Sequence, residues 1–350
     1  MIYAKWVAGL LLSGLLLARP QAAALGAAQA MKKWYDTVAP SLFPFLVLMP
    51  LLTGGEAADI YEGLFARTMK GLFALPGAAA SAVMIGMLSG TPAGAIAARN
   101  VAAGKGMKQG ELHRLVAVMI GYSPAFLIGG IGAGMLNDPT AGWKLLVVQW
   151  AAQLTLLRLL RKVWRDRSLP VPPLRQSVAE APMRNAVLVL ITVCGYMALF
   201  GCLASVIRSV LGDGCANVLL CLLDVPSGAL LLAEGPLNMK LKMILLAAMC
   251  GFGGICVISQ GLAALKGCGI KLWQFVAVRV AAAGIGAGYM ALMLKLPELN
   301  IPLWMESMRK KPLEAAGLAV ALLALPLLAK AGKTGKSLRK INPYLNRENA

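Results

Sequence analysis

Histidine occurs once in this 350-residue chain, at His113, and that scarcity removes two kinds of chemistry at the outset. A zinc site of the Cys/His type needs several such ligands in register, and a nucleophile–base pair needs a histidine beside its cysteine or serine. The seven cysteines contain no CxxC and their number is odd. Most of them lie in apolar runs, where a thiol is a small packing residue. Acidic residues are sparse too: 15 Asp and Glu face 34 Lys and Arg, a net charge of +19. No P-loop and no metal-spaced carboxylate set is present, so the chain has no source of ATP energy, implies no cofactor and does not read as an enzyme.

What the chain has in excess is apolar surface. It is 59% hydrophobic with a mean hydropathy of +0.71 and only 14% charged residues, the profile of a polytopic membrane protein. The basic residues gather between apolar runs and in the tail "KAGKTGKSLRKINPYLNRENA". That placement fits cytoplasmic segments against anionic lipid and argues against nucleic acid as a partner. The opening "MIYAKWVAGLLLSGLLLARP" resembles a secretory signal, but the many hydrophobic runs after it favour a retained first helix.

Apolar runs near 6–24, 41–55, 76–98, 115–136, 142–160, 185–211, 214–233, 241–265, 273–295 and 313–330 are candidates to meet the bilayer. The proline-rich, basic stretch 161–184 divides them. The sequence thus predicts a transmembrane helix in 1–34, a first repeat in 35–160, a cytoplasmic linker over 161–184, a second repeat in 185–295, a helix in 296–330 and a cytoplasmic tail over 331–350.

The halves resemble each other. "TPAGA" (91–95) matches "VPSGA" (225–229) at an offset of 134, and "GYSPAFLI" (121–128) matches "GFGGICVI" (251–258) at 130. The second offset also pairs Trp143 with Trp273 and Gln149 with Arg279. If 76–98 and 214–233 each enter to mid-bilayer and return, 22 of the 34 basic residues fall on the cytoplasmic side and 11 on the other, with Arg279 inside the bilayer. The second hairpin then enters from the opposite face. The expected fold is all-α: inverted repeats with about 8 full transmembrane helices plus two re-entrant or broken hairpins.

The breaks locate a candidate site. Interrupting a helix in hydrocarbon leaves backbone groups unpaired, at several kcal/mol each, unless protein, water or ligand satisfies them. Paired breaks in two halves therefore point to a midplane binding site. The half-helices after the breaks are expected to offer amides near Ala93 and Gly94, and near Ser227 and Gly228, to an anion. Ser89, Thr91, Gly121 and Ser123 join them from the first half, and Ser259 and Gln260 from the second. The glycine runs "GGIGAG" (129–134) and "AAAGIGAG" (281–288) read as close helix packing.

Arg279 and Asp224 are the ionisable residues the apolar runs cannot easily hold. Two readings stay open: a structural Arg279–Asp224 ion pair, or Arg279 holding a carboxylate while Asp224 orients it or binds a coupling cation. Gln149, equivalent to Arg279, is a further donor. A small anionic metabolite and membrane lipid are the implied partners.

Taken together, "SLFPFLVLMPLL", "LSGTPAGA", "GYSPAFLIGGIGAG", "LDVPSG" and "FGGICVISQ" resemble the sporulation integral membrane proteins of the YlbJ type, a group within the gate, or nucleoside-recognition, domain proteins. The resemblance covers roughly residues 35 to 295. It implies secondary or facilitative transport of dipicolinate across the outer forespore membrane during sporulation, in company with other sporulation membrane proteins. The chain departs from that group's pattern at Asp224, Thr91 and Ile258, where glutamate, tyrosine and histidine are common; loss of the histidine weakens the case for proton coupling. Two other readings remain open, a non-transporting membrane scaffold for spore assembly and a nucleoside-type transporter.

Overall fold

The computed structural model describes residues 10, 13–14, 16–53, 55–163, 171 and 182–295, with backbone alone at 37, 41, 45, 49–53, 55–58, 182 and 211–216. The expected first span lies partly outside these residues, most of the 161–184 linker does too, and the expected helix in 296–330 and tail over 331–350 lie wholly outside them.

Every described element is helical: α1 (Pro20–Lys33), α2 (Ala39–Thr53), α3 (Gly55–Thr68), α4 (Ala79–Ser89), α5 (Ala93–Gly104), α6 (Gln109–Met119), α7 (Pro139–Leu160), α8 (Pro182–Leu223), α9 (Val225–Glu234), α10 (Met239–Phe252), α11 (Gly254–Ala264) and α12 (Leu272–Lys295). Wider π-helical turns occupy Trp34–Val38, Met69–Phe73 and Ala125–Met135. Local chemistry sets several starts. Asp138 caps α7 by accepting from the Thr140 amide at 2.8 Å, with Pro139 at the first helical position. Asn238 caps α10 by accepting from the Leu241 amide at 2.9 Å, and Glu111 accepts from the Lys108 amide at 2.8 Å to open α6.

The chain is an all-α polytopic membrane protein, and its described residues hold fewer full spans than the about 8 expected of the whole chain. Among the described residues three stretches are long and apolar enough to cross: Met183–Val210, Met239–Ala264 and Leu272–Lys295. Ala79–Ser89, Ala125–Met135 and Val225–Glu234 are apolar but short. Proline and glycine cut the runs that hydropathy counts as continuous. Residues 76–98 are interrupted between α4 and α5, and 115–136 stops at Met119 before resuming as a π-helix. α7 is long, yet it carries Lys144, Gln149, Gln153 and Arg158.

The boundary expected between 211 and 214 is also absent, since α8 stays helical to Leu223. Met197 and Leu220 nevertheless line one cavity, although 23 intervening rises would put them about 34 Å apart in a straight helix. Arg208 Nη2 also donates to Asn217 Oδ1 at 3.4 Å. α8 is therefore bent between those residues, and its end turns back along its own start.

Helix approach depends on small residues. α1 crosses α8 where a β-carbon on Gly201 would lie 2.6 Å from the Gly26 carbonyl oxygen. Gly132 of the first glycine run packs on Gly142 of α7, and Gly286 of the second on Ala247 of α10. One apolar core joins the halves, with Leu112, Val116 and Ile120 from the first meeting Ile258, Phe275 and Val278 from the second.

Candidate functional site

In the first half α4 ends at Ser89, the chain turns through Gly90–Pro92, and α5 folds back against α4. The return is close: a β-carbon on Gly94 would sit 2.7 Å from the Gly86 Cα. Gly90, at φ +69°, also lies too near the Gly121 carbonyl for any side chain. The Thr91 amide donates to the Gly121 carbonyl at 3.2 Å and the Thr91 hydroxyl to the Met119 carbonyl at 3.3 Å. The break after α4 is thereby stitched to the break after α6.

The second half repeats the arrangement. α8 ends at Leu223, Asp224 turns the chain, and α9 folds back so that a β-carbon on Gly228 would lie 2.6 Å from the Cys221 Cα. α10 and α11 meet at Gly253 and Gly254, with φ of +91° and +76°. A β-carbon on Gly254 would come 3.1 Å from the Leu223 carbonyl oxygen. Here too one break rests on the other.

Breaking α6 and α10 frees their last carbonyls in an apolar interior, and a long helix later in the same half, α7 or α12, supplies the donors. Gln149 of α7 donates from Nε2 to the Tyr122 carbonyl at 2.9 Å and accepts the Tyr122 amide on Oε1 at 3.0 Å. Gln153, one turn on, donates to the Ile120 carbonyl at 2.9 Å. In the second half Arg279 of α12 donates from Nε to the Phe252 carbonyl at 3.1 Å, from Nη2 to the Cys250 carbonyl at 3.5 Å, and to the Gly251 carbonyl as well. Gln149 and Arg279, and likewise Tyr122 and Phe252, stand 130 residues apart. One arginine thus does the work of two glutamines.

Between the two sets of breaks, the Tyr122 hydroxyl donates to the Gly253 carbonyl at 2.8 Å. Around it three of the breaks, at Thr91, Gly121–Ser123 and Asp224, close with Cys256, Val257 and Gln260 of α11 on one small chamber of about 60 Å³. Of the sequence-predicted site residues, Ser89, Thr91, Gly121, Ser123, Asp224 and Gln260 line this chamber together. Ser227 lines a larger cavity on the other side of Asp224. Ala93, Gly94 and Gly228 serve packing: Ala93 is fully buried, and the two glycines carry the close returns. Ser259 donates to the Ile255 carbonyl of its own helix at 2.8 Å and does not line the chamber.

The hydrogen bonds bear on the expected amides and on the open question of the charged pair. Gly94 and Gly228 do not offer amides to an anion, because they donate to the Gly90 and Asp224 carbonyls at 2.7 and 3.0 Å. The start of α9 carries its own anion: Asp224 Oδ2 accepts from the Ser227 amide at 3.1 Å and the Ser227 hydroxyl at 2.8 Å. Arg279 and Asp224 form no ion pair among the described residues. The carboxylate is engaged in the cap and the guanidinium in the break, which satisfies each more locally than a pair would. Arg279 is 1% exposed, and its Nη1 has no hydrogen-bond partner among the described residues.

Three residues that matter here are not in the sequence-predicted set. Tyr122 sits inside the quoted "GYSP", and Gln153 lies four residues after Gln149 on the same helical face, so both carried a signal. Lys33, whose Nζ donates to Ser227 Oγ at 3.4 Å, carried none, because its partner lies 194 residues away. Among the described residues no cluster of three or more His, Cys, Asp or Glu side chains stands ready for a metal ion.

With this geometry in hand the chain was compared with known proteins. It is similar to the sporulation integral membrane protein YlbJ of Bacillus subtilis (strain 168), at 25% identity over an alignment of 331 residues covering 82% of this chain and 81% of that one. The motifs point the same way. No protein-family model matches the chain, and no solved structure matches it.

Proposed function

We propose that this protein carries a small anionic metabolite across a membrane by alternating access, with 35–160 and 185–295 acting as inverted repeats and the two returning helix pairs, α4–α5 and the end of α8 with α9, as re-entrant hairpins. The observation that carries this reading is the chamber on which three of the breaks, drawn from both halves, converge beside α11, the helix that starts at the fourth. Irregular backbone at membrane depth persists where it lines a cavity or is buried in protein, and paired breaks in two halves mark the site in transporters built from repeats.

Charge favours an anion. Arg279 is buried without a carboxylate in ion-pair contact among the described residues, directly behind the Phe252–Gly253 backbone. Its field raises the potential of the chamber. At about 60 Å³ the chamber is far smaller than the roughly 300–1,000 Å³ of ligand pockets, so this is a closed state that must widen to load. The relative's name ties that protein to sporulation. Carried to this chain, the resemblance makes the outer forespore membrane its location and dipicolinate, a planar dicarboxylate, its cargo.

The test is uptake of radiolabelled pyridine-2,6-dicarboxylate into proteoliposomes, beside thermal-shift measurements with the same compound and with nucleosides. Saturable uptake lost in Asp224→Ala, and selective stabilisation by the dicarboxylate, are the expected results. Stabilisation by nucleosides alone would replace the cargo. No uptake of either class by well-folded protein would leave a scaffold as the reading and end this one.

A further inference from the structure

A second, larger space adjoins the chamber. A cavity of about 500 Å³ lies between α1, the bent α8 and α9, within the range that holds small ligands. Its rim is exposed and charged, with Lys32, Asp36, Arg208 and Glu234, whereas its floor is Asp224, Ser227 and the buried Leu220. Several charges cannot ring an opening in hydrocarbon, where each costs about 2.5–3.5 kcal/mol at mid-bilayer. The rim therefore faces water or headgroups. Asp224 and Met197 line both this cavity and the chamber, so the two spaces share one wall.

Lys33 stands at that wall. Lys32 is engaged with Asp36 at 2.7 Å, whereas among the described residues Lys33 makes a long contact, 3.4 Å, to the hydroxyl that also serves Asp224. An ammonium has three donors. A carboxylate arriving from the rim can take Lys33 from Ser227 without disturbing the Asp224 cap on α9, which keeps its bonds to the Ser227 amide and hydroxyl. An anion also needs a cation at this point, since Asp224 otherwise repels it from the chamber.

We infer that this cavity is a vestibule and outer binding site for a carboxylate ligand, with Lys33 as its anion-binding side chain and the Lys33–Ser227–Asp224 chain as the gate to the chamber. The inference rests on the transport reading above but has its own test. In a background lacking the native cysteines, Leu230→Cys reports on the vestibule and Thr91→Cys on the chamber. Each is treated in proteoliposomes with an anionic and a cationic methanethiosulfonate reagent.

The expected result is that Leu230→Cys reacts, that Lys33→Gln lowers its anionic-to-cationic rate ratio by about tenfold, and that pyridine-2,6-dicarboxylate slows its modification when Lys33 is present. Prior blocking of Leu230→Cys with a bulky reagent slows labelling of Thr91→Cys in the double variant. An unreactive Leu230→Cys, a rate ratio indifferent to Lys33→Gln, or Thr91→Cys labelled equally fast behind a blocked Leu230→Cys would each overturn the vestibule. Uptake is measured separately on the same vesicles. Protein that takes up ligand while these rates are indifferent loses the vestibule and keeps the transport reading; the opposite pattern loses transport and keeps an anion site.

Discussion

The break after α6 and the break after α10 pose one physical problem and meet it with different side chains. In the first half two neutral amides, Gln149 and Gln153, take the carbonyls of Tyr122 and Ile120. In the second a single cation, Arg279, takes those of Phe252, Gly251 and Cys250. Position is kept while charge is not. The comparison teaches that a buried arginine in an apolar run need not face a carboxylate, because carbonyls released by a broken helix are acceptors enough. It also shows where the halves stop being equivalent: only the second places a full charge behind its break.

Removing the arginine is the largest way to break the comparison. Arg279→Leu strands three buried carbonyls, each worth about 1–3 kcal/mol when left unpaired, so a loss of at least about 3 kcal/mol is expected in denaturant titrations in detergent. A loss below about 1 kcal/mol would mean that the carbonyls are satisfied without it. Gln149→Leu strands one carbonyl and one amide, and about 2 kcal/mol is expected by the same measurement. Gln153→Leu removes one bond and costs about half as much. If the two glutamines act on one break, the double variant costs less than the sum.

Tyr122→Phe isolates one hydrogen bond between the halves. Loss of its bond to the Gly253 carbonyl is expected to cost about 1 kcal/mol and to alter uptake more than it alters melting. Asp224 separates capping from charge: Asn caps nearly as well as Asp, whereas Ala gives up about 1 kcal/mol. Asp224→Asn should therefore melt like the parent while changing uptake, and Asp224→Ala should lose both. Equal melting of the Asn and Ala variants would deny the cap.

The smallest effect lies outside the membrane-spanning segments. Lys105 contacts Asp59 and reaches Glu62 at 3.0 Å, and these hydrogen bonds raise its pKa above the usual 10.5, Asp59 contributing most. A raised pKa means the contribution is full below pH 10.5 and is lost as pH climbs through the folded-state value. Lys105→Met should melt slightly below the parent at pH 8, with the gap closing in strong alkali. A gap constant with pH would assign the effect to packing.

Much of this arrangement was legible before any coordinates. Proline and glycine in greasy runs marked all four breaks, and the offset of 130 residues aligned Gln149 with Arg279, the two side chains that proved to do matching work. Six of the residues chosen from those motifs line one chamber. The sequence leaves open whether Arg279 and Asp224 pair with each other or serve a ligand, because it cannot show that carbonyls and a helix cap lie nearer to each than the other does. Hydropathy averages across the breaks, so the described residues hold fewer long apolar helices than the runs suggest. Nor did any local pattern disclose the bend in α8 or Lys33 beside Ser227, which arise from chain segments far apart in sequence.

The equivalence of the breaks is tested most directly by moving the first half's device into the second. Ala283 stands 130 residues after Gln153, so Arg279→Gln/Ala283→Gln rebuilds the glutamine pair behind the α10 break. Thermal melting of the parent, Arg279→Gln and the double variant decides it. The account expects the single variant to melt lower and the second glutamine to recover most of the loss. A double variant that melts no higher than Arg279→Gln alone would contradict it.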